Sequence, residues 1–334
     1  MKHMLTMKWL LWTMIIMAGC SKQKGNSDDG ENGKWPAQQP LSVVNRQAFY
    51  NLGNAEDYVN VMGNSMPRMP LYPALKQQSG MVKGYVADLS GKPLKGAYIG
   101  VRITQDGGYY TSAATETDTN GYYEIKVPIG SADFYATGYT ISYGEGYAPV
   151  SLYPADGKLE SFAAASGSVE NFVLLSYGIP DVVKVIPHPK DEANYFGGAL
   201  YLSYSVHDPS EMYTTPGELP YNAEIELTLT PAGKYLLDET KSFVINKKVG
   251  TQSFTVTNMP VGVYTIAARL KDGRPLKMRA TGPYATAYLF GGLKPAEASG
   301  AAKVLYTPVF NSAEQTVVPN LGNWRSVQIK LELS

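Results

Sequence analysis

The stretch from residue 81 to residue 130 constrains the fold more than any other part of this chain. Apolar side chains alternate with polar or small ones in two successive segments, residues 82–86 and 97–103, and a Gly- and Pro-containing turn separates them. The segment Asp118-Thr119-Asn120-Gly121 then predicts a tight turn with Gly121 at positive φ. A period of two residues between such turns predicts strands of a half-buried β-sheet rather than helices.

The same stretch carries a set of motifs in a fixed order. They are the segments at residues 84–88, 91–97, 117–125 and 127–130, followed by Gly138-Tyr139. Together they resemble the carboxypeptidase regulatory-like domain, a small transthyretin-like β-sandwich, over residues 79–177. The resemblance implies a fold but no chemistry, because this family is an accessory module without a catalytic centre.

The remainder of the chain, residues 178–334, also alternates with a period of two. The clearest segments are residues 200–206, 223–230, 254–257, 263–270 and 327–333. This pattern predicts a second sandwich with apolar inner and polar outer faces, of the immunoglobulin, fibronectin or transthyretin-like kind. The predicted fold class is therefore all-β, with two β-sandwich domains after a signal peptide and a flexible tether.

The N-terminus has the features of a processing segment. Lys2 and Lys8 precede a short apolar run that is too short for a permanent transmembrane helix. Small residues then precede Cys20, the single cysteine of the chain, in a pattern that resembles a bacterial lipobox. Residues 1–19 are thus a predicted lipoprotein signal peptide, and Cys20 is the predicted lipid-carrying residue. The alternative is an uncleaved anchor with a free thiol.

Residues 20–78 are predicted to be a tether followed by an extended arm that packs on one or both domains. The tether is polar and Gly-rich, and its acidic patch, Asp28, Asp29 and Glu31, resembles the surface-export signals of bacterial lipoproteins. It indicates an outer-membrane protein that is exposed at the cell surface. A solvated linker has much the same composition, so both interpretations stay open.

The charge balance argues against nucleic acid as a partner. Basic and acidic residues each number 29, and removal of residues 1–19 with Lys2 and Lys8 takes the net charge from zero to −2. The expected partners are the membrane, through the N-terminal lipid, and a polysaccharide or a protein.

The sequence contains few residues suited to catalysis or metal binding. After loss of the signal peptide only His188 and His207 remain, each beside a proline or an aspartate in a predicted turn. No zinc-ligand, nucleophile-elbow or phosphate-loop motif occurs, so we expect no catalytic residue, metal or cofactor, and no enzymatic activity. Asp118 and Asn120 are explained by the turn rather than by calcium. A hydrolase that uses a pair of carboxylates stays open as an alternative.

Tyrosine is abundant, and four tyrosines in predicted turns or Gly-rich loops are candidate ligand-binding residues: Tyr109, Tyr110, Tyr143 and Tyr147. Sugar rings stack on flat aromatic side chains, and loops on a rigid β scaffold are common binding sites. The competing interpretation is that these rings cover the end of a sandwich or the junction with the second domain. The sequence thus favours a non-enzymatic surface protein that binds or scaffolds a partner. A fimbrillin-like adhesive subunit, assembled by strand exchange, is the other binding alternative.

Overall fold

Nearly all regular structure in this chain is β-strand. The computed structural model describes residues 33–41, 46–233, 236, 240–282, 291–314, 322 and 324–334. The predicted signal peptide, Cys20 and the acidic patch lie outside these residues. Within the described ranges, no helix has the length and apolar character needed to cross a bilayer.

Residues 81–174 contain ten strands that form two facing sheets. The strands after the arm strands β1 (Gln47–Leu52) and β2 (Tyr58–Asn60) are β3 (Met81–Asp88), β4 (Tyr98–Thr104), β5 (Tyr110–Glu116), β6 (Tyr122–Lys126), β7 (Ser131–Tyr143), β8 (Gly146–Ser151), β9 (Tyr153–Pro154), β10 (Phe162–Ala163), β11 (Ser168–Val169) and β12 (Phe172–Leu174). In one sheet β3 pairs with β6, β11 and β12, and β9 pairs with β12. The other sheet has the order β10-β7-β4-β5, with β8 also on β7.

The predicted alternation explains the core of this first sandwich. Ile99, Val101 and Ile103 of β4 are fully buried, as is Ala97 just before the strand, because every second residue points to the opposite sheet. The turn at residues 88–93 is closed by the Gly91 N–H donating to the Asp88 carbonyl over 2.9 Å. Gly121 has a φ of 72°, as the tight turn predicted.

The second sandwich combines strands from both ends of the described chain. Its own strands are β13 (Gly198–Ser203), β14 (Val206–His207), β15 (Leu219–Pro220), β16 (Glu224–Pro231), β17 (Ser242–Lys248), β18 (Ser253–Met259), β19 (Tyr264–Leu270), β20 (Leu276–Thr281), β21 (Gly292–Lys294), β22 (Glu297–Ser299), β23 (Ala301–Leu305), β24 (Thr307–Pro308), β25 (Trp324–Arg325) and β26 (Val327–Leu333). A short helix, α1 (Val182–Val185), and a 3-10 turn (Glu192–Asn194) precede them. The sheet orders are β1-β17-β16-β19-β23-β21 and β2-β18-β13-β26-β20-β22. The predicted all-β fold with two sandwiches is confirmed.

The arm differs from an extended segment in one respect: it supplies one edge strand to each sheet of the second sandwich. β1 pairs in parallel with β17, and β2 pairs in parallel with β18. Residues 53–57 connect β1 to β2 and cross from one sheet to the other, as the β17–β18 connection does. The arm therefore runs parallel to β17, its connection and β18. The predicted boundaries at residues 79–177 and 178–334 stay a prediction.

The arm also covers the first sandwich. The Trp35 ring packs against Tyr72 and Tyr85, with ring centroids 5.5 Å apart in both pairs. The Trp35 indole N–H donates to the Asn120 carbonyl over 3.1 Å, and the Tyr72 hydroxyl donates to the Phe172 carbonyl over 2.9 Å. Residues before and after β1 and β2 therefore pack on the sheet that contains β3.

Candidate binding surfaces

Tyr109 and Tyr110 form an exposed aromatic tip on the β4–β5 hairpin. Their side chains are 77% and 74% exposed. The hairpin is held by the Gln105 N–H donating to the Tyr109 carbonyl over 2.7 Å, after which β4 and β5 pair without interruption. Ile129, also exposed, precedes Ser131, which pairs with Thr104 at the same end of the sheet. The structure thus presents two tyrosines on a regularly paired hairpin, and neither ring contributes to the hydrophobic core.

Tyr147 is also exposed, but it lies at the other end of the sheet. The β4–β7 register places Ser131 beside Thr104, near the aromatic tip, and β7 then runs away from that end to Tyr143. Tyr147 pairs with Ser142 close to that far end. Twelve residue steps along β7 correspond to about 40 Å. The four candidate tyrosines therefore do not form one site, because the loop of Tyr143 and Tyr147 lies at the end of the sheet opposite to Tyr109 and Tyr110.

Tyr143 is buried and serves as a junction residue, so its assignment as a ligand-binding tyrosine is corrected. Its side chain is 5% exposed, and its ring lies 4.9 Å from that of Trp324 between ring centroids. Its hydroxyl accepts the Tyr306 N–H over 2.6 Å and donates to the Gly262 carbonyl over 3.3 Å. Tyr143 thus links the end of β7 to the second sandwich, as the competing interpretation of the tyrosines expected.

A second aromatic surface was missed by sequence reasoning. Tyr58 on β2 and Tyr201 on β13 both pair with Thr255 on β18, so the three residues form one row on the outer face of the sheet. The two rings are 44% and 39% exposed, and their Cα atoms are about 10 Å apart, two strand spacings. Sequence alternation predicts the outward direction of each ring but not that residues 58 and 201 meet across β18.

A depression of about 500 Å³ lies beside this row. It is lined by residues 55–60 with Gly63 and Asn64. Asp57, on its wall, pairs with Lys190 over 2.7 Å. The depression therefore offers polar groups next to the exposed Tyr58 ring, a combination that small polar ligands require.

Two carboxyl groups of the first sandwich have raised pKa values. Burial, reinforced by the nearby Asp156, raises the pKa of Glu170 to about 8. Burial also raises the pKa of Asp88, although hydrogen bonds from Ser90 and Lys92 oppose this effect. One Asp88 oxygen accepts the Ser90 and Lys92 N–H groups, so Asp88 has a structural role in closing the turn.

His188 and His207 are the two histidines that follow Cys20 in the sequence. His188 follows α1 and is exposed. His207 lies on β14, with its Nδ1 3.6 Å from a Glu218 carboxylate oxygen. Among the residues that the structure describes, no three His, Cys, Asp or Glu side chains are grouped so that they could hold a metal ion.

Sequence comparison does not place this chain in a known group. No family profile matches it, and no curated protein sequence matches it either. Comparisons with solved structures gave weak similarities to several bacterial proteins. The Bacillus anthracis TIE protein is 13% identical over 77% of this chain and 34% of that protein, with a TM-score of 0.28. This chain thus spans about a third of the length of that protein.

Two further structures gave similar values. A Mobiluncus mulieris adhesin with intramolecular disulfide, isopeptide and ester cross-links is 13% identical over 72% of this chain and 85% of its own, with a TM-score of 0.24. The major pilin of Streptococcus pyogenes is 9% identical over 77% and 98%, also with a TM-score of 0.24. At such TM-scores these similarities carry no argument about the function of this chain.

Proposed function

We propose that this chain is a non-enzymatic, lipid-anchored cell-surface protein that binds a polysaccharide through exposed tyrosines. The observation that carries the proposal is the pair Tyr109 and Tyr110, each more than 70% exposed at the tip of a continuously paired hairpin. A folded chain leaves two adjacent large rings in water at an energetic cost, which binding to the apolar faces of sugars would recover. The lipobox-like sequence at Cys20 and the acidic tether support anchorage and surface display.

The resemblance of residues 79–177 to the carboxypeptidase regulatory-like domain also supports a binding role. That family is an accessory module, so membership agrees with a binding role rather than with catalysis. The strands and turns that carry its motifs form as expected, with β3, β4 and β6 at the predicted positions.

The experiment is a glycan array with the purified chain from residue 33 to residue 334. Tyr109→Ala combined with Tyr110→Ala should abolish binding and leave the melting temperature unchanged, because both rings are outside the core. Tyr58→Ala combined with Tyr201→Ala is the matched control, since it removes two exposed rings from the other surface. Binding that survives the first pair and is lost with the second would move the site to the outer face of the second sandwich. Binding that survives both pairs would reject tyrosine-mediated glycan binding.

The anchor is tested separately in cells by membrane fractionation. Cys20→Ser should leave the protein as uncleaved precursor or release it to the soluble fraction. Normal cleavage and unchanged membrane association of this variant would reject Cys20 as the lipidated residue.

A second candidate function is an adhesive subunit of the fimbrillin-like kind. The observation that favours it is the position of β1 and β2. Both are edge strands of the second sandwich, although they precede the first sandwich in the sequence. Edge strands of this kind are the elements that strand exchange between subunits would replace. SDS-resistant ladders of the mature protein would support this assignment. Their absence would reject subunit assembly and favour the glycan-binding protein proposed first.

A further inference from the structure

The outer face of the sheet β10-β7-β4-β5 continues from the Tyr110 ring along β5. Ile103 of β4 is buried in the core, so the next residue, Thr104, points to the outer face together with its partner Tyr110. The same alternation puts Ser112 and Ala114 of β5 on that face, and both are exposed. The Tyr110 ring thus stands at one end of a row of exposed residues.

A second tyrosine ring lies on this face, over a glycine of β4. Gly100 pairs with Ala114, and a Cβ at Gly100 would lie 2.7 Å from the Cζ of Tyr135. The register between β4 and β7 shifts at this point, and Tyr135 is the extra residue on β7. Glycine weakens the interior of a strand, and here it leaves the space that the ring occupies. Tyr135 is half-buried, so it covers Gly100 and still presents part of its surface to solvent.

The Tyr135 ring is held in place before any ligand arrives. Its hydroxyl shares a hydrogen bond over 3.0 Å with the hydroxyl of Tyr98, the first residue of β4. Beyond Tyr98, Ala313 lies against the same face: a Cβ at Gly138, the β7 partner of Tyr98, would be 2.7 Å from the Ala313 Cα. A ring that is fixed in advance loses little conformational entropy when a ligand stacks on it.

A pair of opposite charges lies between the two tyrosine rings. Arg102 is two residues from both Thr104 and Gly100 on β4, and its partners are Ser112 on β5 and Asp133 on β7. The Arg102 guanidinium lies 3.6 Å from the Asp133 carboxylate. Arg102 is exposed and Asp133 half-buried. Because the two charges compensate each other, this face offers hydrogen-bond donors and acceptors without an excess of positive charge for an acidic ligand.

We propose that this face binds an extended, neutral polysaccharide chain that runs from Tyr110 across Arg102 to Tyr135. The inference rests on the proposed function and names the ligand class of that site. Tyr110 and Ala114, which lies beside the Tyr135 ring, are four residues apart along β5, or about 13 Å. Two linked sugar units are shorter than this distance, so only a longer chain stacks on both rings. Its hydroxyls meet the Arg102 side chain between them.

A length series of oligosaccharides tests whether both rings are used. The probes are the neutral cello-, laminari-, malto- and manno-oligosaccharides of two to eight units, titrated calorimetrically into the full chain with Cys20→Ser. In at least one series, the affinity should rise tenfold or more between two units and the longer members. The reason is that a chain already held at Tyr110 makes the contact with Tyr135 within the same complex.

Two variants at Tyr135 separate the ring from its structural role. Tyr135→Leu fills the space over Gly100 without a flat ring, so it should reduce the affinity for the longest oligomer to that for the two-unit oligomer. Tyr135→Phe keeps the ring and should keep the gain with length. The affinity for the two-unit oligomer, which reaches only Tyr110, should be unchanged in both variants. A ring that only stabilised the strand would change the melting temperature but not the dependence on length.

A blocking variant leaves the contacts of the Tyr135 ring intact. Ala114→Lys places a long side chain beside the ring from an exposed position, so it should abolish the gain with length in the same way. Thr111→Lys is the matched control, because Thr111 is exposed on the same strand but alternates to the other face. Circular dichroism checks that each variant is folded.

Three results would overturn the extended site: equal affinities at all lengths in every series, a gain that both Tyr135→Leu and Ala114→Lys leave unchanged, or no binding of any series. The proposed function fails in a different way, through glycan-array binding that survives the loss of Tyr109 and Tyr110. Array binding that is lost with these two tyrosines but is independent of Tyr135 would keep the hairpin tip as the site and reject its extension.

Discussion

At the scale of single residues, the turn glycines show how local conformation and packing combine. Gly121 and Gly96 have similar positive φ values, 72° and 79°. A Cβ at Gly121 would lie 2.4 Å from the Val86 carbonyl oxygen, whereas a Cβ at Gly96 would have no heavy atom within 4 Å. The two positions therefore share the backbone strain of a substitution but not the steric conflict.

Gly121→Ala should accordingly destabilise the chain more than Gly96→Ala. We expect a loss of about 1 kcal/mol at Gly96 from the positive φ alone, and of about 3 kcal/mol or more at Gly121, where β3 must also move. Urea unfolding of the two variants measures the difference. Equal losses would mean that the β3 backbone adjusts without cost.

Glu170 should make stability depend on pH. Its raised pKa, about 8, means that it is protonated in the folded chain at pH 7, whereas it is ionised in the unfolded chain. Unfolding thus releases a proton, so the stabilisation present below pH 4.5 is lost as the pH rises towards 8, by up to about 1.4 kcal/mol per unit. Glu170→Gln should flatten this slope in urea unfolding at several pH values. An unchanged slope would place the pKa of Glu170 near its ordinary value.

At the scale of elements, the arm strands depend on one buried cation. Lys247 on β17 is fully buried, and its Nζ donates to the carbonyls of Gly53 over 2.6 Å and Asn54 over 3.0 Å. Burial lowers the pKa of Lys247, and Asp57 and Glu56 partly offset this effect. The lysine therefore fixes the corner at which the arm passes from one sheet of the second sandwich to the other.

Lys247→Met should loosen this corner. Methionine keeps much of the apolar stem but leaves both carbonyls without their donor, so we expect a loss of about 2–3 kcal/mol. Lys248→Met is the control, since the neighbouring lysine is exposed. Hydrogen exchange should show that the protection of residues 47–60 falls in the first variant only. Unchanged protection would mean that strand pairing with β17 and β18 suffices to hold the arm.

At the scale of the whole molecule, the first sandwich has neighbours on two sides. The arm covers Tyr85 through Trp35 and Tyr72, and the second sandwich receives Tyr143 and packs Phe196 against Tyr153 with ring centroids 5.1 Å apart. Most of its core, however, is formed by its own two sheets. Its stability is thus partly intrinsic and partly supplied by contacts with the rest of the chain.

A fragment of residues 79–177 should therefore fold cooperatively but melt at a lower temperature than the chain of residues 33–334. The lost contacts expose Tyr85, Tyr143 and Tyr153, each of which is buried in the whole chain. Circular dichroism of both proteins gives the two melting temperatures. A fragment without a cooperative transition would reject residues 79–177 as a folding unit.

The sequence by itself determined the strands, the turns and the β class of this protein. Alternation over residues 223–230 and 327–333 predicted β16 and β26, and their inward residues are buried. Such features depend on neighbours in sequence, which turn chemistry and a period of two residues encode locally. The same local pattern placed Tyr109 and Tyr110 at a hairpin tip, but it left open whether the rings are exposed or covered.

Only the tertiary structure decided which distant segments meet. It buried Tyr143 against Trp324, moved Tyr147 to the far end of the sheet, brought Tyr58 and Tyr201 together, and gave β1 and β2 to the second sandwich. The physical reason is that strand pairing uses the same backbone groups at every residue. Local sequence therefore specifies that a strand forms, while its partner is selected by the packing of side chains far apart in the chain.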